Sequence, residues 1–332
     1  MFYGLWLKLK HLAYDKGWKK SLKADKPTIC VGNITVGGTG KTPHVELILR
    51  SLLVSDKWGY KPLAVLSRGY KRKSKGFRIV TPDSTASFAG DEPLQIACKF
   101  PGVTVAVDKD RLEGCAKLDA DLIVLDDAFQ FRKLAPTLSI VLVDYNRPVF
   151  RDRLLPWGRL RDLPSRLKKA DIVIVTKCPS GLEESDRQEF RRRLGLGEQQ
   201  QLFFTSIKYG AMLPVFPEAD IRYTYSSKVI LVSGIANDAP LRSYLSDNYK
   251  ITDRLSFGDH HRFTKADIRS MGSAVKKNPT ACVVTTEKDA QRLRDVPGVP
   301  DALKQRLFYL PIEAAFDTEE EQEAFTSILS QI

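Results

Sequence analysis

Four short stretches carry the residues whose types and spacing could do chemistry. In the first, Gly37, Gly38, Thr39 and Gly40 run directly into Lys41 and Thr42. Glycines let a backbone turn tightly enough to aim its N–H groups at phosphate oxygens. A lysine placed there reaches the β- and γ-phosphates, and the hydroxyl beside it holds Mg²⁺. The spacing departs from the usual phosphate loop once: Thr35 stands where the first glycine is expected. In the second stretch, apolar residues 122–125 run into Asp126 and Asp127. A buried parallel strand ending in carboxylates is where a phosphate-loop enzyme keeps its Mg²⁺ partner. The third is Gly90-Asp91-Glu92-Pro93, in which Asp91 reads either as a helix N-cap, the locally favoured reading, or as a carboxylate placed to take a proton. The fourth, Asp259-His260-His261, holds two of the chain's four histidines. It lies just before a helix start, a place suited to acid–base work.

These residues need scaffolding, and the flanking patterns supply it. An apolar β-prone run at 28–31 enters the glycine loop, and a helical pattern at 45–53 leaves it, which is the strand–loop–helix context of a phosphate loop. His44 is expected to cap or pack. A second buried-type strand at 62–67 ends in Arg68, an anion contact or part of a solvated basic loop. Further strands are expected at 103–107, 138–143, 171–177 and 202–206, and a charged helix at 183–193. The segment 151–166 is rich in arginine, with Arg159 and Arg161 in a Pro/Gly-bearing loop that is either functional or plain surface. After a connector at 207–227, alternation resumes, with strands at 229–233, 281–285 and 307–310. Thr264 caps a helix at 265–273, and Thr285-Thr286-Glu287-Lys288-Asp289 is a capping box or a ligand loop. Repeated β–α alternation predicts an α/β protein: a mostly parallel sheet of the P-loop NTPase type with helices on both faces (residues 1–206), then a smaller α/β domain (228–332).

Composition narrows the function class. At 332 residues the chain is long enough for two domains, and 43% apolar with 28% charged residues is ordinary for a globular protein. A net charge of +12 favours anionic partners without choosing among them. No nucleic-acid module is present, and the aromatics are not interleaved with the basic runs as stacking platforms require, so nucleic acid is not expected as a partner. The five cysteines lack metal-ligand spacing and read as thiols in a reducing compartment. Neither a membrane-crossing run nor a secretory signal is expected. The first 20 residues form their own unit. On a helix, Phe2, Leu5, Trp6, Leu9 and Leu12 share one face, Gly4, Lys8, His11 and Asp15 the other, and lysines follow. Such a helix either lies in a membrane interface or packs on its own domain. His11 reads as a surface residue.

Taken in order, the stretch 31–43, Ser67-Arg68-Gly69-Tyr70, Gly90-Asp91-Glu92-Pro93, Leu154-Leu155-Pro156, Ser233-Gly234-Ile235-Ala236-Asn237, Asp259-His260-His261 and Thr285-Thr286-Glu287-Lys288-Asp289 resemble the tetraacyldisaccharide 4'-kinase family, the lipid A kinases of Gram-negative bacteria. Each motif alone is weak; the ordered set, covering nearly the whole chain, is specific, and Thr35 is the family's usual departure. The resemblance departs where Phe131 follows Ala128-Phe129-Gln130 in place of the family's histidine, and where Trp157-Gly158-Arg159 replaces its Ala-Gly-Pro.

The resemblance implies ATP-dependent phosphorylation of the 4'-hydroxyl of an anionic glycolipid, tetraacyldisaccharide 1-phosphate. Residues 35 and 37–42 then bind ATP, and Thr42, Asp126 and Asp127 bind Mg²⁺. Asp91 is implied as the base, with His260 orienting it and Lys41 neutralising charge. Arg68, Asn33, Arg159 and Arg161 are candidate contacts for substrate. It also implies a peripheral location on the cytoplasmic face of the inner membrane, through the N-terminal helix. A P-loop switch ATPase acting on a protein partner is the alternative, but it leaves Asp91 and His260 without a task.

Overall fold

The protein is described by a computed structural model covering residues 2–332. The chain begins with α1 (Phe2–Asp15), β1 (Thr28–Asn33), α2 (Lys41–Leu53), β2 (Leu63–Ser67), β3 (Arg78–Val80), α3 (Ala86–Ala89) and α4 (Asp91–Lys99). It continues with β4 (Thr104–Val107), α5 (Arg111–Lys117), β5 (Leu122–Asp126), β6 (Leu138–Asp144), β7 (Ile172–Thr176), α6 (Glu184–Leu194) and β8 (Gln201–Tyr209). The second part has β9 (Leu213–Pro214), β10 (Lys228–Ser233), α7 (Ala239–Asn248), β11 (Lys250–Ser256), α8 (Lys265–Lys277), β12 (Cys282–Thr286) and α9 (Glu287–Arg294). Last come α10 (Asp301–Lys304), β13 (Leu307–Leu310), β14 (Ile312–Phe316) and α11 (Glu319–Ser330).

Two sheets organise these elements. The larger has nine strands in the order β14-β8-β7-β6-β1-β5-β2-β4-β3, parallel except at its two edges. Its central strands are apolar without alternation because both faces are covered. In β1, Ile29 and Val31 join the core on one face while Cys30 joins the core on the other. The five-stranded sheet, β11-β10-β12-β13-β9, is parallel except for the short edge strand β9. This is the expected P-loop α/β class.

Two elements depart from the expected division. β14 pairs antiparallel with β8, and α11 packs against α2, so residues 312–332 return to the larger sheet instead of completing the smaller one. The physical reason is in the core: Phe316, Phe325 and Leu329 are buried against Phe203 of β8 and the α2 side of the larger sheet. Within the connector, Leu213–Pro214 pairs with β13 and forms no local hairpin.

Of the two orientations open to the N-terminal helix, the structure takes the one that leaves the apolar face uncovered. Its apolar face is the exposed one: Phe2 is 90% exposed, and Leu5, Trp6, Leu9 and Leu12 are also open. The body is contacted by Leu7, Tyr3 and His11, and His11 is 5% exposed, which corrects its reading as a surface residue. His11 Nε2 donates to Asp162 Oδ1 at 2.6 Å, and Tyr3 Oη donates to the carbonyl of Arg161 at 2.8 Å. Arg132 has only donors, so at 3.1 Å from His11 Nδ1 it fixes that nitrogen as the acceptor. No helix among the described residues is long and apolar enough to cross a membrane.

Candidate functional site

The glycine loop spans β1 to α2. Gly40, at φ +85°, is the N-cap of α2, a left-handed conformation that a side chain resists. The loop is braced from several sides. Asn33 Nδ2 donates to Thr39 Oγ1 at 2.5 Å, and Thr176 Oγ1 at the end of β7 donates to the Thr39 carbonyl at 3.0 Å. Lys177 donates to the Gly38 carbonyl and pairs with Asp144 at 2.6 Å. His44 is buried inside α2, with Nδ1 on the Gly40 carbonyl and Nε2 on Thr205; burial pushes it down to about 4, so it stays neutral and structural. Thr35 forms a bridge with Leu160, and Val36 N donates to the Arg159 carbonyl, so the arginine-rich loop lies across the phosphate loop.

Parallel pairing sets Val31 of β1 opposite Asp126 of β5, which brings the paired aspartates beside the loop. Lys41 Nζ is 3.9 Å from Asp127 Oδ1. Asp127, at φ +50°, is gripped by both terminal nitrogens of Arg161, and Arg161 also donates to Asn33 Oδ1 at 2.6 Å. A non-glycine residue held at positive φ at a strand end marks backbone strain of the kind that collects at functional sites. Burial opposes ionisation of Asp127, but Lys41 and Arg161 outweigh it and hold the carboxyl below its usual range.

Asp126 is different. Its Oδ2 accepts from Ser67 Oγ at 2.9 Å, while its Oδ1 is buried without a partner. Burial, with the charges of Glu92 and Asp127, raises it to about 6 against the opposing pull of Lys41 and Ser67. A buried orphaned carboxylate oxygen next to Asp127 and within the field of Lys41 fits a hard divalent cation, which takes oxygen ligands and shares them with phosphates. No cluster of three or more His, Cys, Asp or Glu suited to a metal exists among the described residues, so such a cation would lean on phosphate and water for its remaining ligands.

The other end of the site is assembled across the two sheets. The N-cap of α4 is Gly90, not Asp91, so the cap reading of Asp91 is corrected: it is the first helical residue. Its Oδ2 accepts from His260 Nδ1 at 3.1 Å, over a sequence separation of 169. Arg292 Nε lies 3.8 Å away, and Lys288 pairs with the neighbouring Glu92. Burial pushes Asp91 up, but the His260 hydrogen bond and the charges of Lys288 and Arg292 prevail and hold it at about 2. His260 adopts φ +58°, its backbone N–H bonded to the Gly234 carbonyl, and its ring meets Tyr70 edge-on. Gly234 N in turn donates to Asp289, which Arg292 also holds. The 285–289 motif is therefore both helix cap and brace: Thr286 caps α9, and Asp289 holds Gly234, whose carbonyl accepts from His260 N.

The structure brings together Asn33, Thr39, Lys41, Asp127 and Arg161, and separately Asp91 and His260. Arg68 and Arg159 are exposed, and no side-chain partner engages either guanidinium among the described residues. Sequence reasoning missed Arg292, Arg111 and Lys177. Arg292 sits one helical turn after Asp289, within reach of a motif already noted. Arg111 donates toward the Asp126 and Asp127 carbonyls and follows β4; Lys177 ends β7. Both occupy carboxyl ends of parallel strands, the available signal.

A family model for tetraacyldisaccharide-1-P 4'-kinase matches residues 1–331. The chain belongs to this family. It is 42% identical to the tetraacyldisaccharide 4'-kinase of Parabacteroides distasonis, with 99% of this chain and 92% of that one aligned. It is 43% identical to the enzyme of the same name from Phocaeicola vulgatus, over 98% and 90% of the two chains. Among solved structures, LpxK from Aquifex aeolicus in complex with ATP superposes with a TM-score of 0.74 at 28% identity, covering 99% of this chain and 96% of that one. The match thus runs from end to end of the chain, through both sheets.

Proposed function

We propose that this protein transfers the γ-phosphoryl group of ATP to the 4'-hydroxyl of tetraacyldisaccharide 1-phosphate, giving lipid IVA in lipid A biosynthesis. Membership of the family along the whole chain supports the reaction. The observation that supports the assignment of the acceptor end is the Asp91–His260 contact: an ionised, oriented carboxylate next to Glu92, whose charge is felt by Asp126 at the nucleotide end. Phosphoryl transfer passes through a loose transition state, so the protein's work is positioning and charge neutralisation. Residues 35 and 37–42 wrap the phosphates, and Lys41 meets their developing charge. Thr42, Asp126 and Asp127 would hold Mg²⁺, whose charge neutralises the β- and γ-oxygens. The sugar 4'-oxygen bonds to the γ-phosphorus, the bond to the β–γ bridging oxygen breaks, ADP leaves, and Asp91 takes the hydroxyl proton. A carboxylate at about 2 is a weak base for a free alcohol. It suffices in a loose transition state, where the hydroxyl becomes acidic only as the new bond forms. His260 donates to Asp91 and fixes its direction.

In the same reading residues 228–311 form the acceptor-side domain and 312–332 belong with the kinase core. Arg68 and Arg159, exposed cations, contact the substrate's 1-phosphate, while Asn33 and Arg161 are committed to the nucleotide end. The protein is peripheral, on the cytoplasmic face of the inner membrane, with the exposed apolar face of α1 in the lipid interface. Purified protein given the disaccharide 1-phosphate, ATP and Mg²⁺ should yield the bisphosphate. ATP hydrolysis without a phosphorylated lipid product would reject the reading.

A further inference from the structure

A cavity of about 380 Å³ lies beside the C-terminal end of α1, on the face of the larger sheet lined by Phe129, and none of residues 35–42 touches it. Arg166, from the single turn 164–169, lines it and is 8% exposed. Its guanidinium makes no hydrogen bond or ion pair among the described residues, its Nε is sealed without a partner, and its one marked contact is the Phe129 ring at 5.3 Å. A charge taken out of water without a hydrogen-bonded partner is costly, and proteins rarely leave one so. The carboxylates of the same wall are already engaged. Asp15 is held by Arg132 at 2.9 Å, and Asp171 accepts from Ser139 N and Oγ at 2.7 and 2.8 Å. Asp162 is bound to His11 through Oδ1; its charge and that of Asp15 reach Arg166, but neither carboxylate makes a hydrogen bond or ion pair with the guanidinium. Arg132 is thus matched, while Arg166 and the exposed Lys169 on the same cavity are not.

We propose that this cavity is a phosphate-binding site separate from the glycine loop, with Arg166 as its buried anchor and Lys169 at its mouth. The guanidinium fork suits a tetrahedral oxyanion, and the volume admits a phosphate with a small substituent. Burial and the charge of Arg132 disfavour the charged Arg166 and prevail over the opposing pull of Asp162 and Asp15, a penalty an incoming anion relieves. Asp15, the last residue of the helix whose apolar face is exposed, and Ser21, among Lys19, Lys20 and Lys23, both line the cavity. The phosphate therefore comes either from a phospholipid headgroup at the membrane surface or from a soluble phosphorylated compound.

The test uses the full chain with a non-hydrolysable ATP analogue and Mg²⁺ saturating the glycine loop. Inorganic phosphate is titrated calorimetrically in one arm. In the other, the protein is co-sedimented with phosphatidylcholine vesicles or with equimolar phosphatidylcholine–phosphatidylglycerol vesicles. Charge-assisted hydrogen bonds to a phosphate predict that Arg166→Gln weakens binding about 10- to 100-fold, with Arg166→Lys between it and the parent. Lys169→Gln, on the surface, should weaken binding less and decides the matter if Arg166→Gln does not fold. Saturable, Arg166-dependent binding of phosphate identifies a soluble ligand. Arg166-dependent binding of the anionic vesicles alone identifies a headgroup. Parent-like binding by the folded variants in both arms overturns the proposal. Because binding is read directly, the outcome is independent of whether the kinase reading holds.

Discussion

Asp126 and Asp91 are the same residue type, both nearly fully buried, yet their surroundings drive them in opposite directions. Burial raises both; at Asp126 the carboxylates of Glu92 and Asp127 add to it and the group reaches about 6, whereas at Asp91 His260, Lys288 and Arg292 overcome it and hold the group at about 2. The first environment is short of positive charge, which a divalent cation supplies. The second already has its cations and keeps the carboxylate ionised and aimed. Their construction differs as well. The nucleotide end is built within one sheet, where the β1–β5 ladder fixes Asp126 opposite Val31. The acceptor end has no ladder between its halves: side chains of α4 meet those of α9 and the 258–261 loop. Main-chain pairing makes the first end rigid by default; the second depends on how the two sheets sit.

The largest effect that sharpens this contrast is expected from Asp91→Ala. Loss of an oriented proton acceptor should lower kcat by about 10²–10⁴-fold. The KM for ATP should stay near that of the parent, because Asp91 is not part of the glycine loop or its braces. Steady-state kinetics with ATP and lipid varied separately checks this. A variant whose ATP KM rises as far as its kcat falls would show that the two ends are not separable.

The sheet-to-sheet junction is the target of the second prediction. Lys99 of α4 lies 2.7 Å from Glu46 of α2 and 3.5 Å from Glu287 of α9, so one ammonium ties the phosphate-loop helix to the smaller sheet. Glu46 is fully buried. Lys99→Met leaves the buried Glu46 only Gln95 at 2.7 Å and Arg50 at 3.8 Å, and should cost up to about 3–5 kcal/mol of stability, the usual cost of breaking a buried pair from one side. Denaturant unfolding measures it; a loss under about 1 kcal/mol, typical of exposed pairs, would mean that water reaches the cluster.

A smaller effect is expected at α1. His11→Ala removes the side-chain donor to Asp162 Oδ1, which keeps the Leu163 backbone N–H at 2.8 Å, and should destabilise the protein by about 1–3 kcal/mol, the cost of losing a hydrogen bond to a buried carboxylate. If the exposed apolar face is what meets lipid, vesicle flotation should persist in His11→Ala and fall when residues 2–15 are deleted. Equal flotation of the deleted form would leave the helix without that role.

How much of this was legible in the residues depends on how far apart the partners are. The central strands were readable because a parallel strand covered on both faces is an uninterrupted apolar run, as at 122–125. The nucleotide end was readable because its parts lie at fixed local spacings. Edge strands were not: β11, Lys-Ile-Thr-Asp-Arg-Leu-Ser, is half exposed and carries no run, and β14 follows Pro311 as a continuation of β13 although it crosses to the other sheet. Asp91 read locally as a cap, since nothing near it in sequence reveals a histidine 169 positions away; the family resemblance supplied that role. His11 failed for another reason. A helical wheel separates two faces but does not say which one the body takes, and here the body takes the polar one.

The smallest expected effect concerns the charge state of the same junction. Glu287 is raised to about 7, first by burial and then by Glu46, with Glu313 of β14 adding to the rise and Lys99 opposing it. A carboxyl whose folded value lies above its ordinary 4.5 binds its proton more tightly in the folded chain. Its contribution therefore favours folding below pH 4.5 and is lost as pH rises toward 7. Glu287→Gln cannot ionise, so it should flatten the fall in stability across that window and leave the variant relatively more stable above it. Urea midpoints of parent and variant, taken at the two ends of the window, give the difference directly. An unchanged pH slope would place the titration elsewhere in the junction. A steeper slope would mean that Glu287 is ionised in the folded protein, locked to Lys99, and that the two sheets are joined by a full ion pair.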